Sequence, residues 1–132
     1  MRILMILLLA SLMSCQQKAN FDKLEFSSGG GFSGEVTTYS VMPDGKVYKR
    51  SSISKEEVEV GRMSAEELDE ILQLTKALAG FFTTAHEPGS INRSITFHSG
   101  DIKYQCVWTP QIPALSAPDM VYHYFIQTIS KP

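Results

Sequence analysis

The chain has 132 residues, 43% of them hydrophobic and 20% charged, with 12 basic and 14 acidic side chains for a formal net charge of -2. That length supports one ordinary globular core and not two substantial ones. Both signs of charge are scattered, so no basic face is available to neutralise a run of phosphates, and nucleic acid is not an expected partner.

The opening MRILMILLLASLMSC places one positive charge, Arg2, before an apolar run over residues 3–10 and then small or modest residues up to Cys15. This order reads as a secretion signal. A permanent span needs about 20 apolar residues, and the run stops well short of that before the polar stretch 16–20. Leu12, Met13, Ser14 and Cys15 resemble the lipobox of bacterial lipoproteins. That resemblance implies cleavage after Ser14, diacylglycerol on the Cys15 thiol and acylation of the new amino group. The acyl chains would then hold the protein to the lipid bilayer, since two or more chains suffice for stable anchoring. Gln16, where an aspartate would signal inner-membrane retention, points to the outer membrane of the cell envelope. Losing Arg2 with the leader leaves 11 basic against 14 acidic side chains, so charge would not hold the mature domain to an anionic lipid surface.

The expected organisation is a signal peptide over residues 1–14, a lipidated tether over 15–20 and a single α+β domain over 21–132. QQKAN at 16–20 is polar and without periodicity. Residues 21–26 read as a strand that enters a flexible turn at Ser27-Ser28-Gly29-Gly30-Gly31. Residues 34–40 are rich in β-branched and aromatic side chains, and Pro43-Asp44-Gly45 before Lys46-Val47-Tyr48 predicts a hairpin whose glycine takes a positive φ. The polar, acidic stretch 51–61, with Val58 and Val60 two apart, reads as an edge strand.

Ser64-Ala65-Glu66-Glu67 is a capping box that starts a helix. Leu68, Ile71, Leu72 and Leu78 give that helix one apolar stripe, and Gly80 provides its stop. A turn at His86-Glu87-Pro88-Gly89 precedes a strand over 91–98, which Ser99-Gly100-Asp101 connects to a partner strand over 102–108. Ser116-Ala117-Pro118-Asp119 then offers a capped start, with proline in the first turn, for a closing helix marked by Val121, Tyr124, Phe125 and Ile129. The expected fold is an antiparallel sheet of about four to five strands with two helices packed on it.

No pattern in the mature chain carries recognisable catalysis. His86, His98 and His123 have no ligand spacing, so no metal is expected, and no cofactor motif is present. His98 is expected to bond Asp101 in its hairpin turn, and Tyr122-His123-Tyr124 to form a half-exposed surface feature on the last helix. Neither a nucleophile elbow nor a catalytic cysteine context is found. With Cys15 committed to lipid a disulfide framework is excluded, and Cys106 reads as a small buried hydrophobe in a strand. Glu56, Glu57 and Glu59 read as a solvated face. Gly29-Gly30-Gly31 lacks the context of a phosphate loop and reads instead as a bulged turn or a place where another backbone approaches closely.

The segment Gly30-Gly31-Phe32-Ser33-Gly34 is followed by a strand, the Ser64-capped helix ending near Phe81-Phe82, two strands and a final helix. This order resembles emfourin, a small proteinaceous inhibitor of thermolysin-like metalloproteases of the protealysin group. The glycine-phenylalanine-glycine segment is the shared short motif. Three readings follow, in this order. The first is a membrane-displayed protein-binding or envelope accessory module, with Gly29, Gly30, Gly31 and Phe32, and the loop 85–90, as candidate contacts. The second is a metalloprotease inhibitor. The third, an enzyme, requires His98, His123 or Glu87 to converge in a pocket.

Overall fold

The computed structural model describes residues 21–78, 91–110 and 116–131. The expectations for the signal peptide, Cys15, the tether, Gly80, Phe81-Phe82, the 86–89 turn, the 85–90 loop and Pro113 fall outside the described residues.

The class is α+β. Six strands form one antiparallel sheet: β1 (Lys23–Gly30), β2 (Val36–Val41), β3 (Lys46–Ser51), β4 (Glu57–Arg62), β5 (Ile91–Ser99) and β6 (Ile102–Trp108). Their order is β4-β3-β2-β1-β5-β6, so β1 is central and β4 and β6 are the edges. Helix α1 (Ala65–Ala77) follows β4, and α2 (Ala117–Ile129) closes the described chain.

The strand count slightly exceeds the expected four to five, and the edge strand expected within 51–61 is present as β4 although it carries little apolar signal. Every residue from Glu57 to Val60 is exposed, and the strand exists by pairing with β3, with a bulge where Val47 and Tyr48 meet it. A bulge and glutamates on an edge also discourage further strands from adding there. The second correction concerns β1. Its predicted flexible turn at 27–31 is strand as far as Gly30, because Ser27 and Ser28 pair with Thr38 and Thr37 on one side and with Ser94 and Arg93 on the other. Ladders on both edges override the poor strand preference of serine and glycine.

The core lies on one face. Registers align Leu24 with Val41 and Val47, and Phe26 with Ile95 and Cys106, so strict alternation puts all of these on the same side. They join Leu68, Ile71 and Leu72 of α1 and Val121, Tyr122 and Phe125 of α2 in one buried cluster. Phe125 stacks on Phe26 at 3.9 Å between ring centroids. The Tyr124 hydroxyl donates to Glu70, tying α2 to α1. Cys106 is buried within this cluster, as expected. The opposite face carries polar cross-strand contacts such as Ser27 with Thr38 at 2.9 Å and Gln105 to Thr96 at 3.3 Å. An antiparallel sheet can be covered on one side and polar on the other.

The two predicted hairpin turns, at Pro43-Asp44-Gly45 and Ser99-Gly100-Asp101, hold. Gly45 has φ +88° and Gly100 φ +57°, both in the left-handed region that favours glycine. The capping box is complete: the Ser64 hydroxyl accepts from the Glu67 amide at 3.1 Å, and the Ser64 amide donates to Glu67 Oε1 at 3.0 Å. These bonds, the backbone one foremost, hold the Glu67 carboxyl below its usual range. A depressed carboxylate adds stability above its unfolded-state pKa and loses it as the pH falls through the folded value. Ser64→Ala should therefore cost about 1 kcal/mol in urea unfolding and raise the Glu67 titration, followed by carboxyl NMR, only in part, because the backbone donor remains.

The second predicted cap differs. Ser116 occupies the N-cap with Pro118 in the first turn, but its hydroxyl makes no capping bond. Asp119, which could complete the cap, is committed to other partners described below.

Candidate functional site

The two ends of the sheet differ in character. The chain enters β1 at the near end, where Phe21 stacks on Phe97, the Asp22 amide donates to the His98 carbonyl and the Gly100 amide donates to Asp22. The β2–β3 and β5–β6 turns lie at this end. The far end holds the β1–β2 loop, the β3–β4 turn, the start of β5, the end of β6 and the start of α2.

Gly29, Gly30, Gly31 and Phe32 fall at the far end. Gly29 is a close-approach glycine, as anticipated: a Cβ there would sit 2.2 Å from the Glu35 carbonyl oxygen and 2.5 Å from Val36 Cα. Gly30, Gly31 and Gly34 take φ of +107°, +68° and +67°, which turn the chain sharply. The loop is closed by the Gly30 amide donating to the Glu35 carbonyl at 3.1 Å and by the Glu35 amide donating to the Ser33 hydroxyl at 3.3 Å. Its base is tied to the β3–β4 turn, since the Val36 amide donates to Ser52 Oγ and the Ser51 hydroxyl to Glu35. Phe32 rides on this tied loop with its ring wholly in solvent, 113% exposed relative to the reference state. An aromatic side chain left entirely wet has no packing role in this fold.

Beside the loop, on the face away from the helices, lies a shallow depression of about 380 Å³ lined by residues that include Ser27, Gly29, Val36, Ser94, Gln105 and Val107. Asn92 and Arg93 also line it, and Ser27 and Gln105 already bond Thr38 and Thr96.

On the helix face of the same end is a cluster that the sequence reading missed. Asp119 is 1% exposed and its Oδ1 accepts from Arg93 at 2.7 Å and from the Trp108 indole at 3.0 Å. The guanidinium of Arg93 also lies 4.9 Å from the centroid of the Tyr122 ring. Burial raises the Tyr122 hydroxyl above its ordinary value, against a hydrogen bond with Ser28. His123 Nε2 stands 3.3 Å from Arg93 and 3.6 Å from Asp119 Oδ2. The signal available in the sequence was Arg93 itself, a charged residue at an inward position of the strand that also points Ile95 and Phe97 inward. Chemically the cluster is a lock: it spends the carboxylate on two donors and pins the start of α2 to β5 and β6.

The histidines do not converge. His98 bonds Glu25 at 2.7 Å near the chain entry, not Asp101, because the neighbouring central strand presents a carboxylate diagonally across the ladder, two residues on from Lys23, the register partner of His98. His123 is half exposed at the other end of the sheet, as expected, whereas Tyr122, expected to share that exposure, is buried because the helix turns it onto Phe26 and Trp108, and Glu87 lies outside the described residues. Among the described residues no three metal-ligating side chains cluster, and no helix is long and apolar enough to cross a membrane. Compared with protein-family models and with curated protein sequences, the chain has no significant match.

Proposed function

We propose that this protein is a lipid-anchored protein-binding module of the bacterial envelope, held to the bilayer through Cys15 and contacting its partner with the Gly29, Gly30, Gly31 and Phe32 loop. The observation that carries the reading is Phe32, a fully solvated aromatic ring on a loop closed by hydrogen bonds. A pre-ordered loop loses little entropy on docking, and a buried aromatic anchor commonly dominates the energy of an interface. The outer membrane is the proposed location, from Gln16 after the cysteine.

The test is crosslinking of full-length lipidated protein in native envelopes with identification by mass spectrometry, set against Cys15→Ala, which blocks lipidation. One enriched partner, depleted in the Cys15→Ala control, is the expected result. Phe32→Asp should lose that partner, weakening binding by at least about 2 kcal/mol, while leaving urea unfolding unchanged. Retention of the partner by Phe32→Asp would remove the loop from the reading.

The same loop supports a second reading, inhibition of a thermolysin-like metalloprotease. A convex loop with one bulky apolar tip between left-handed glycines has the shape of an element that enters a cleft. Titration of such a protease with the mature domain should abolish activity at one equivalent and return the domain intact by mass. Cleavage at the loop without inhibition would make the protein a substrate and end this reading.

A further inference from the structure

The position of the loop relative to the chain entry adds a direction to the proposed binding. β1 starts at the near end of the sheet and delivers the chain to the β1–β2 loop at the far end. Its eight residues at about 3.3 Å each place those ends about 23 Å apart, before Phe21 and the loop itself are added. Phe21 is buried on Phe97, so the entry point is fixed to the domain. The six peptide steps from Cys15 to Phe21 cannot exceed about 22 Å. An anchored domain therefore has too little chain to invert and turn its far end to the bilayer.

The far end also holds the four most exposed large apolar side chains among the described residues. Phe32, Ile53, Ile91 and Met120, the last at 61% exposure, belong to the β1–β2 loop, the β3–β4 turn, the start of β5 and the start of α2. Ile91 lies against the loop, within 3.5 Å of a Cβ built at Gly31. At the near end Asp44 and Asp101 mark polar turns, and the large exposed apolar side chains among the described residues there, Val60, Ile102 and Tyr104, lie on the edge strands β4 and β6 and are each less exposed than those four. Apolar groups gathered at one end of a small domain mark an interaction surface.

We infer that the protein engages its partner end-on, through this far end, and that the occupant is a protein offering an apolar pocket to the Phe32 ring, standing away from the membrane that holds the anchor. The inference rests on the lipid-anchored binding reading above. Lipid of the same bilayer is out of reach of the inverted pose. A second copy anchored beside the first would present its own far end in the same outward direction, so two such ends do not face each other.

The test places a photo-crosslinking phenylalanine analogue at Phe32 or, separately, at exposed Asp101 in the full-length lipidated chain, and illuminates intact envelopes. The expected result is an adduct with one other protein from position 32 and only background from position 101. A protein adduct from 101 and none from 32 would leave protein binding standing and overturn the end-on geometry. Adducts from 32 with lipid, or with a second copy of this chain, would overturn the proposed occupant. Absence of any protein adduct from both positions and from a lysine-reactive crosslinker would bring down the binding reading itself.

Discussion

Asp119→Ala should destabilise the domain by about 3 kcal/mol, the low end of the cost of breaking a buried ion pair from one side. The loss has two parts. Arg93 keeps its charge with its side chain only 22% exposed, and the Trp108 indole N–H loses its acceptor. Partial access to water lets the guanidinium rehydrate, which is why the low end applies. Urea unfolding of the mature domain measures it. Combining Asp119→Ala with Arg93→Leu should recover part of the loss, because the stranded charge is gone. A single-variant cost under about 1 kcal/mol, or strict additivity in the double variant, would mean that the pair is solvated and does not lock α2. For a domain whose total stability is on the order of 5–15 kcal/mol, the expected loss is large. It should also be local in origin, loosening the start of α2 and hence the far end of the sheet.

Phe125→Ala should cost about 4 kcal/mol, the largest effect of a single truncation in this core. Phe125 is fully buried, stacks on Phe26 with an interplanar angle of 6° and meets the Tyr39 ring edge-on at 5.8 Å. Removing it takes away the contact by which α2 reaches the centre of the sheet, and the surrounding backbone, held by ladders on both sides of β1, has little freedom to collapse into the space. Phe125→Leu should cost about 1.5 kcal/mol, because most of the volume remains. Thermal and urea unfolding of both variants check the ranking. A loss below about 2 kcal/mol for the alanine variant would show that the core relaxes around the gap.

These two losses should leave Phe32-dependent binding measurable in whatever fraction stays folded, since neither residue touches the loop tip. Phe32→Asp is the converse case, with binding lost and stability kept. The contrast separates the scaffold from the surface it presents.

Local signals were legible where one short segment contains the whole interaction. The capping box at Ser64 and Glu67, the Pro43-Asp44-Gly45 hairpin and the Ser99-Gly100-Asp101 turn each need only a few consecutive residues, so their chemistry is visible in the sequence. Gly29, Gly30, Gly31 and Phe32 could be singled out as unusual, and the close approach at Gly29 could be anticipated. The length of β1 could not, because Ser27 and Ser28 are strand residues only through partners in β2 and β5 that are distant along the chain. β4 was legible only from Val58 and Val60 two apart, because a wet edge strand carries little other apolar signal.

The class of fold, the two hairpin turns and the first helix start follow from local chemistry, because propensity, capping and periodicity act over a few residues. Which charges meet follows from the packing of distant elements. Arg93 and Asp119 are brought together across 26 positions, and His98 finds Glu25 across 73, by strand order and helix docking that no local pattern encodes. That packing also decided that Phe32 stands at the opposite end of the sheet from the chain entry, because an antiparallel strand of eight residues carries the backbone the full length of the domain before it turns.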